Sequence, residues 1–192
     1  MSEMKTSWTK LIICLFCISF AAGCETGTET KNPEKVETTK TSNKIVFANL
    51  EPTEDSKVSG YVNFKPDSNG VLIAAQVAGL SPGKHGFHIH EKGDCSAPDG
   101  KSAGGHFAPN GNPHGAPDNP ADKRHVGDLG NITADNSGNA KYNRVDKVVK
   151  LSGENSIVGK AVIVHQQEDD FKSQPTGKAG KRLACGVIEI QT

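Results

Sequence analysis

Short apolar runs separated by tight-turn residues, with no sustained helical period, constrain this chain more than any other feature of it. The runs lie at 45–50, 58–65, 71–77, 84–91, 129–134, 140–146, 159–165 and 186–190. Between them stand Asp67-Ser68-Asn69-Gly70, Ser81-Pro82-Gly83 and Asp135-Asn136-Ser137-Gly138-Asn139. Their Gly, Asn and Asp residues suit the backbone conformations that tight turns need. Apolar residues do not recur at the 3.6-residue spacing that gives a helix one buried stripe. The pattern predicts an all-β fold, an eight-stranded Greek-key β-sandwich or flattened barrel. A content of 21 Gly with only 5% aromatic residues agrees with a loop-rich β protein.

The N-terminus reads differently. Lys5 and Lys10 precede an apolar run over 11–22 that breaks at Gly23-Cys24. The run is too short for an ordinary membrane span and fits the apolar segment of a signal peptide, here residues 1–23. Phe20-Ala21-Ala22-Gly23-Cys24 resembles a bacterial lipoprotein signal, in which Cys24 becomes the lipidated N-terminus, although Ala21 stands where Leu is preferred. Ordinary secretory cleavage is the alternative. Residues 25–43 carry Thr, Glu and Lys with a single aliphatic residue, Val36, and read as a flexible tether. One domain then fills 44–192. The expected location is the cell envelope, with a membrane-anchored lipoprotein facing the periplasm or the cell surface. Membrane contact would be through the lipid only. Of 5 Cys, Cys14 and Cys17 leave with the signal, and export predicts one disulfide between the remaining Cys95 and Cys185. Lys plus Arg (22) equals Asp plus Glu (22), which provides no basic footprint for nucleic acid.

Two long stretches interrupt the strand pattern, 92–128 and 166–184, and loops of that length in a compact domain are often functional. All 7 His fall between 85 and 165. In Phe87-His88-Ile89-His90, alternation places both His on one face, outward if Phe87 and Ile89 enter the core. His165 ends a run in which Val162 and Val164 point inward, so it also faces out. The first long stretch adds His106, His114, His125 and Asp128. Three imidazoles and a carboxylate suit zinc, whereas four imidazoles suit Cu(II), and spacing alone leaves the metal open.

These residues carry a resemblance. Gly86-Phe87-His88-Ile89-His90-Glu91-Lys92-Gly93-Asp94 is similar to the first signature of copper–zinc superoxide dismutases. Gly105-His106-Phe107, Pro113-His114-Gly115 and the run from Arg124 to Asn131 resemble that family's metal loop, and the run from Gly177 to Ile188 its second signature. The resemblance implies a superoxide dismutase with one copper and one zinc per subunit and superoxide anion as substrate. It implies copper ligands His88, His90, His106 and His165, and zinc ligands His106, His114, His125 and Asp128. His106 would serve both ions as imidazolate and cycle a proton. Asp169 would link a copper His to a zinc His, Arg182 would guide the anion, Cys95–Cys185 would be the family disulfide, and His85 would brace the backbone.

Departures from animal members are a short interval between His165 and Arg182, and Lys178 and Lys181 where Asn and a small residue are commoner. Steering is expected from Lys172, Lys178, Lys181 and Arg182. A metal buffer, a blue-copper carrier and a zinc hydrolase are the competing classes. Loss of a copper ligand or of Arg182 would favour the first, and neither is lost. The second normally needs a Cys and often a Met, and the mature chain has no Met. The third fails because Asp94 stands where H-E-x-x-H needs its second His. A homodimer stays open, because dimer contacts leave no pattern in the sequence.

Overall fold

The computed structural model describes residues 45–191. The expected signal peptide, Cys24 and the tether lie outside them. Nine strands run in chain order: β1 (Ile45–Pro52), β2 (Ser59–Asp67), β3 (Gly70–Ala78), β4 (Gly83–His90), β5 (Asp128–Ala134), β6 (Ala140–Asp146), β7 (Ala161–His165), β8 (Arg182–Val187) and β9 (Glu189–Gln191). Their spatial order is β2-β3-β6-β5-β4-β7-β8-β1, and β1 pairs with β2 to close the barrel. Closure leaves those eight strands without a free edge. Each pairing is antiparallel.

Alternation explains the core. Val46, Ala48 and Leu50 of β1, Val62 and Phe64 of β2, and Val71, Ile73, Ala75 and Val77 of β3 point inward with Phe87, Ile89, Val162 and Val164. Two connections, 79–82 and 147–160, step across neighbouring strands to give the Greek-key order. Leu80 in the first is buried and lies against the β5–β6 turn, where Gly138 has φ 80°. A Cβ there would fall 2.6 Å from the Leu80 carbonyl oxygen, so the turn needs glycine twice over.

The eighth expected strand, 186–190, is displaced. Strand β8 begins at Arg182, because Ala184–Gly186 pair with Val164–Val162 and Arg182 pairs with His165 after a bulge. Charged Lys181-Arg182 reads locally as loop, but tertiary pairing overrides that signal. Ile188 then leaves the ladder to bond with the segment before β7, its N–H reaching Lys160 O at 2.8 Å. Strand β9 resumes against Ile45–Phe47 as an extra strand. The second long loop accordingly ends at Lys181. Asp128, expected in the first loop, is instead the first residue of β5 and lies opposite His88.

The first long loop is fastened to the barrel near both of its ends. Cys95 and Cys185 form a disulfide, with Cα atoms 5.8 Å apart. Arg124 is buried, donates to both carboxylate oxygens of Asp146 at 2.7 Å and to the Asp128 carbonyl at 2.6 Å. Removing one partner of such a buried pair strands the other charge, so the link specifies where the loop lands.

Candidate metal centre

Strand β4 supplies the first two donors. Phe87 and Ile89 fill the barrel, leaving His88 and His90 on its outer face. That face is covered: both rings are fully buried, as is His165 on neighbouring β7. The cover is the first long loop. It lies along β4 through Phe107 N–H to Ile89 O (2.8 Å) and Ile89 N–H to Gly127 O (2.9 Å), with His106 bridged to His90. Ala103 packs under it on Ala161, Ile163 and Cys185. The second loop closes the other side over Gly86, where a Cβ would meet the Ala179 methyl at 2.7 Å.

Two clusters result. His88, His90, His106 and His165 bring one donor atom each within 4.8 Å of one another, and so do His106, His114, His125 and Asp128. His106 belongs to both. Hydrogen bonds assign the tautomers. His88 Nε2 donates to Asp169 Oδ2 (2.8 Å), His90 Nδ1 to Gly104 O (2.9 Å) and His165 Nδ1 to Gly180 O (3.3 Å). Each bond leaves the opposite nitrogen with its lone pair directed into the cluster. Accordingly His90 Nε2 and His165 Nε2 stand 3.3 Å apart, and His88 Nδ1 and His106 Nε2 are buried without a hydrogen-bond partner. Converging buried lone pairs carry a desolvation cost that a bound cation offsets.

In the second cluster Asp128 Oδ1 lies 2.8, 2.9 and 3.2 Å from the Nδ1 atoms of His106, His114 and His125. Backbone N–H groups of Gly115 (3.0 Å) and His125 (2.8 Å) hold its other oxygen. The donor set of each cluster fits a metal ion, four imidazoles in one and three imidazoles with a carboxylate in the other.

The sequence model of copper/zinc superoxide dismutase (SODC) matches residues 58–188. The chain belongs to the copper/zinc superoxide dismutase family. It is 44% identical over 169 residues to "Superoxide dismutase [Cu-Zn]" of Paramecium bursaria Chlorella virus 1, covering 84% of this chain and 85% of the relative. It is 40% identical to "Extracellular superoxide dismutase [Cu-Zn]" of Brugia pahangi, over 79% of this chain and 78% of that one. The crystal structure of the clock protein EA4 superposes with a TM-score of 0.70 at 39% identity, covering 77% of this chain and 94% of the other. The chain is therefore an enzyme of the copper–zinc superoxide dismutase type, and the family implies copper and zinc for its two clusters.

Around the superoxide dismutase clusters, Asp169 spans from His88 (Oδ2, 2.8 Å) to His114 (Oδ1, 2.9 Å). Asn131, whose role sequence reasoning missed, pairs with both backbone groups of Asp169 at 2.8 and 3.0 Å. Arg182 donates to Gly100 O and Gly104 O, each at 2.6 Å, and with Lys181 lines a cleft of about 430 Å³ shared with Lys101, Glu54, Asp55 and Asp99. Burial lowers the Arg182 pKa, opposed by Asp99, yet an arginine starts high enough to stay charged. Lys172 and Lys178 are exposed on the second loop and do not line that cleft. His85 stands apart from both clusters. Its ring nitrogens face the carbonyl oxygens of His165 and Ser81, each at 2.9 Å.

Burial dominates the electrostatics. It holds His88 and His90 well below the ordinary histidine range, with His106 and His165 adding repulsion. It lowers His106 against the pull of Asp128, and brings His165 to about 3. His114 is the exception: burial lowers it, but bonds and charge from Asp128 and Asp169 prevail and raise it to about 9. Asp128 is favoured as carboxylate, burial being outweighed by its three histidines. A histidine with lowered folded pKa takes up its proton more readily when unfolded, so its contribution is lost as pH falls below about 6.5. His114 has the opposite sign and loses its contribution as pH rises through about 9. Four lowered rings against one raised predict that the metal-free protein weakens steeply in acid. Each unmatched proton contributes about 1.4 kcal/mol per pH unit. Urea unfolding of the metal-free protein between pH 7 and pH 4 reads the slope, and a flat profile would contradict it.

Proposed function

We propose that the chain is an exported superoxide dismutase whose four-imidazole cluster holds copper and whose mixed cluster holds zinc, one of each per subunit. His106 carries the reading, with a buried partnerless Nε2 toward the first cluster and Nδ1 toward Asp128 in the second. Bound copper supplies the reversible one-electron chemistry by which two superoxide anions and two protons become dioxygen and hydrogen peroxide, and zinc supplies fixed charge.

The residues do the rest. His106, imidazolate when both clusters are filled, takes up a proton at Nε2 and gives it back, while Nδ1 stays committed to the zinc side. Asp169 holds the His88 and His114 rings with their lone pairs facing the ions. Arg182 orients the anion, its guanidinium fixed by two carbonyls. Electrostatic steering is a known property of superoxide dismutases generally. In this chain the charge layout is particular: Lys101, Lys181 and Arg182 line one cleft with three carboxylates, and Lys172 and Lys178 are exposed on the second loop outside that lining. Export and a lipid anchor at Cys24 remain the proposed setting, in keeping with one relative described as extracellular, and a homodimer is compatible with the barrel.

Superoxide decay followed by stopped flow, with metal content measured on the same samples, tests the reading. The loaded protein contains one copper and one zinc, its rate declines as salt screens the positive charge of Arg182 and the second-loop lysines, and removal of copper abolishes activity. Full activity without copper would overturn the mechanism, and a salt-insensitive rate would overturn the steering.

A further inference from the structure

His114 reaches the second cluster from a stretch of the first loop that belongs to no strand, so its backbone polar groups need partners from elsewhere. Both find the same one. The His114 N–H donates to Gln174 Oε1 at 2.8 Å, and Gln174 Nε2 donates to the His114 carbonyl at 2.9 Å, across 60 positions of sequence. A side-chain amide offers one acceptor and one donor at the spacing of a peptide edge, so the pair acts like two rungs of a ladder. Gln174 lies in the loop that also carries Asp169, whose Oδ1 accepts from His114 Nε2 at 2.9 Å. Gly177 of the same loop lies against that bond, where a Cβ would come within 2.7 Å of His114 Nε2. The second loop therefore grips His114 at two levels, the backbone through Gln174 and the ring through Asp169.

We propose that Gln174 is a positioning residue for the zinc cluster, setting the aim of His114 Nδ1 by holding the His114 backbone, and through it the grip on the metal. The proposal rests on the zinc reading given above. Gln174 is itself exposed, so substituting it leaves the core untouched. Ser173 is a suitable neighbour for comparison. Its hydroxyl donates to Asp170 Oδ2 at 2.6 Å within the same loop and makes no bond to His114 that the substitution would break.

The test uses the full protein with copper kept reduced and colourless. The wild type, Gln174→Ala, Gln174→Glu and Ser173→Ala are compared by zinc release to a chromogenic chelator and by the visible spectrum of Co(II) placed in the same cluster. Groups that orient metal ligands typically change affinity by about 10–100-fold. Gln174→Ala is expected to release zinc at least about tenfold faster, with shifted cobalt bands. Gln174→Glu keeps the acceptor for the His114 N–H but loses the donor to its carbonyl, and should fall between. Ser173→Ala should match the wild type. If Gln174→Ala matches the wild type in both readouts, or Ser173→Ala loses zinc as fast as Gln174→Ala, the positioning role is wrong. A wild type that takes up no zinc overturns the zinc reading along with it, whereas zinc uptake with an indifferent Gln174→Ala overturns the positioning alone.

Discussion

His165→Ala should reduce superoxide dismutation by more than two orders of magnitude while leaving zinc in place. The ring contributes Nε2 to the four-imidazole cluster, 3.3 Å from His90 Nε2, and touches none of the second cluster's donors except through His106. Partners one bond beyond the metal already cost about 10–100-fold when removed, so a donor itself should cost more. Its backbone stays fixed, since the His165 carbonyl faces His85 and residues 161–164 pair with β4 and β8. The expected variant is folded, zinc-containing and copper-poor. Metal content and stopped-flow decay on one preparation decide the matter: wild-type rates at wild-type copper would remove His165 from the centre.

Cys185→Ser should have the largest effect on stability. The disulfide joins positions 90 apart in sequence, and the chain-entropy model assigns such a loop about 4–5 kcal/mol. Small domains have only about 5–15 kcal/mol in total, so the variant is left marginal. A second loss follows from position. Cys95 opens the segment whose Gly100 and Gly104 carbonyls hold Arg182, so untethering it loosens that guanidinium as well. Urea unfolding of the metal-free variant should show the drop in free energy. An unchanged midpoint would mean that loop packing alone, through Ala103 on Ile163 and Cys185, fastens the segment.

Local regularity made much of this legible. Alternation in Phe87-His88-Ile89-His90 reveals which residues share a face, and the turns around Gly70, Gly83 and Gly138 reveal where strands end. Alternation is silent about what covers a face, which is why His88, His90 and His165 read as outward yet lie buried beneath the first loop. The loop donors His106, His114 and His125 were visible only as residue types in a Gly- and Pro-rich stretch, and as family motifs. Asn131 and Gln174 left no trace, because an amide side chain pairing with a distant backbone has no spacing to recognise. The early start of β8 at Arg182 and the break at Ile188 likewise depend on partners at β7 and residues 159–160.

The Gly104 carbonyl takes one hydrogen bond from His90 Nδ1 at 2.9 Å and another from Arg182 at 2.6 Å. A carbonyl oxygen has two lone pairs, and both are then in use. The residue proposed to orient the substrate and a ring proposed to hold the ion thus share a hinge made of main chain, at a glycine whose φ of 74° and crowding by Glu91 leave no room for a side chain. Substitutions at His90 and Arg182 will not combine additively. Over evolutionary time the two positions, and the length of chain that delivers Gly104 between them, can be expected to drift as one inherited unit.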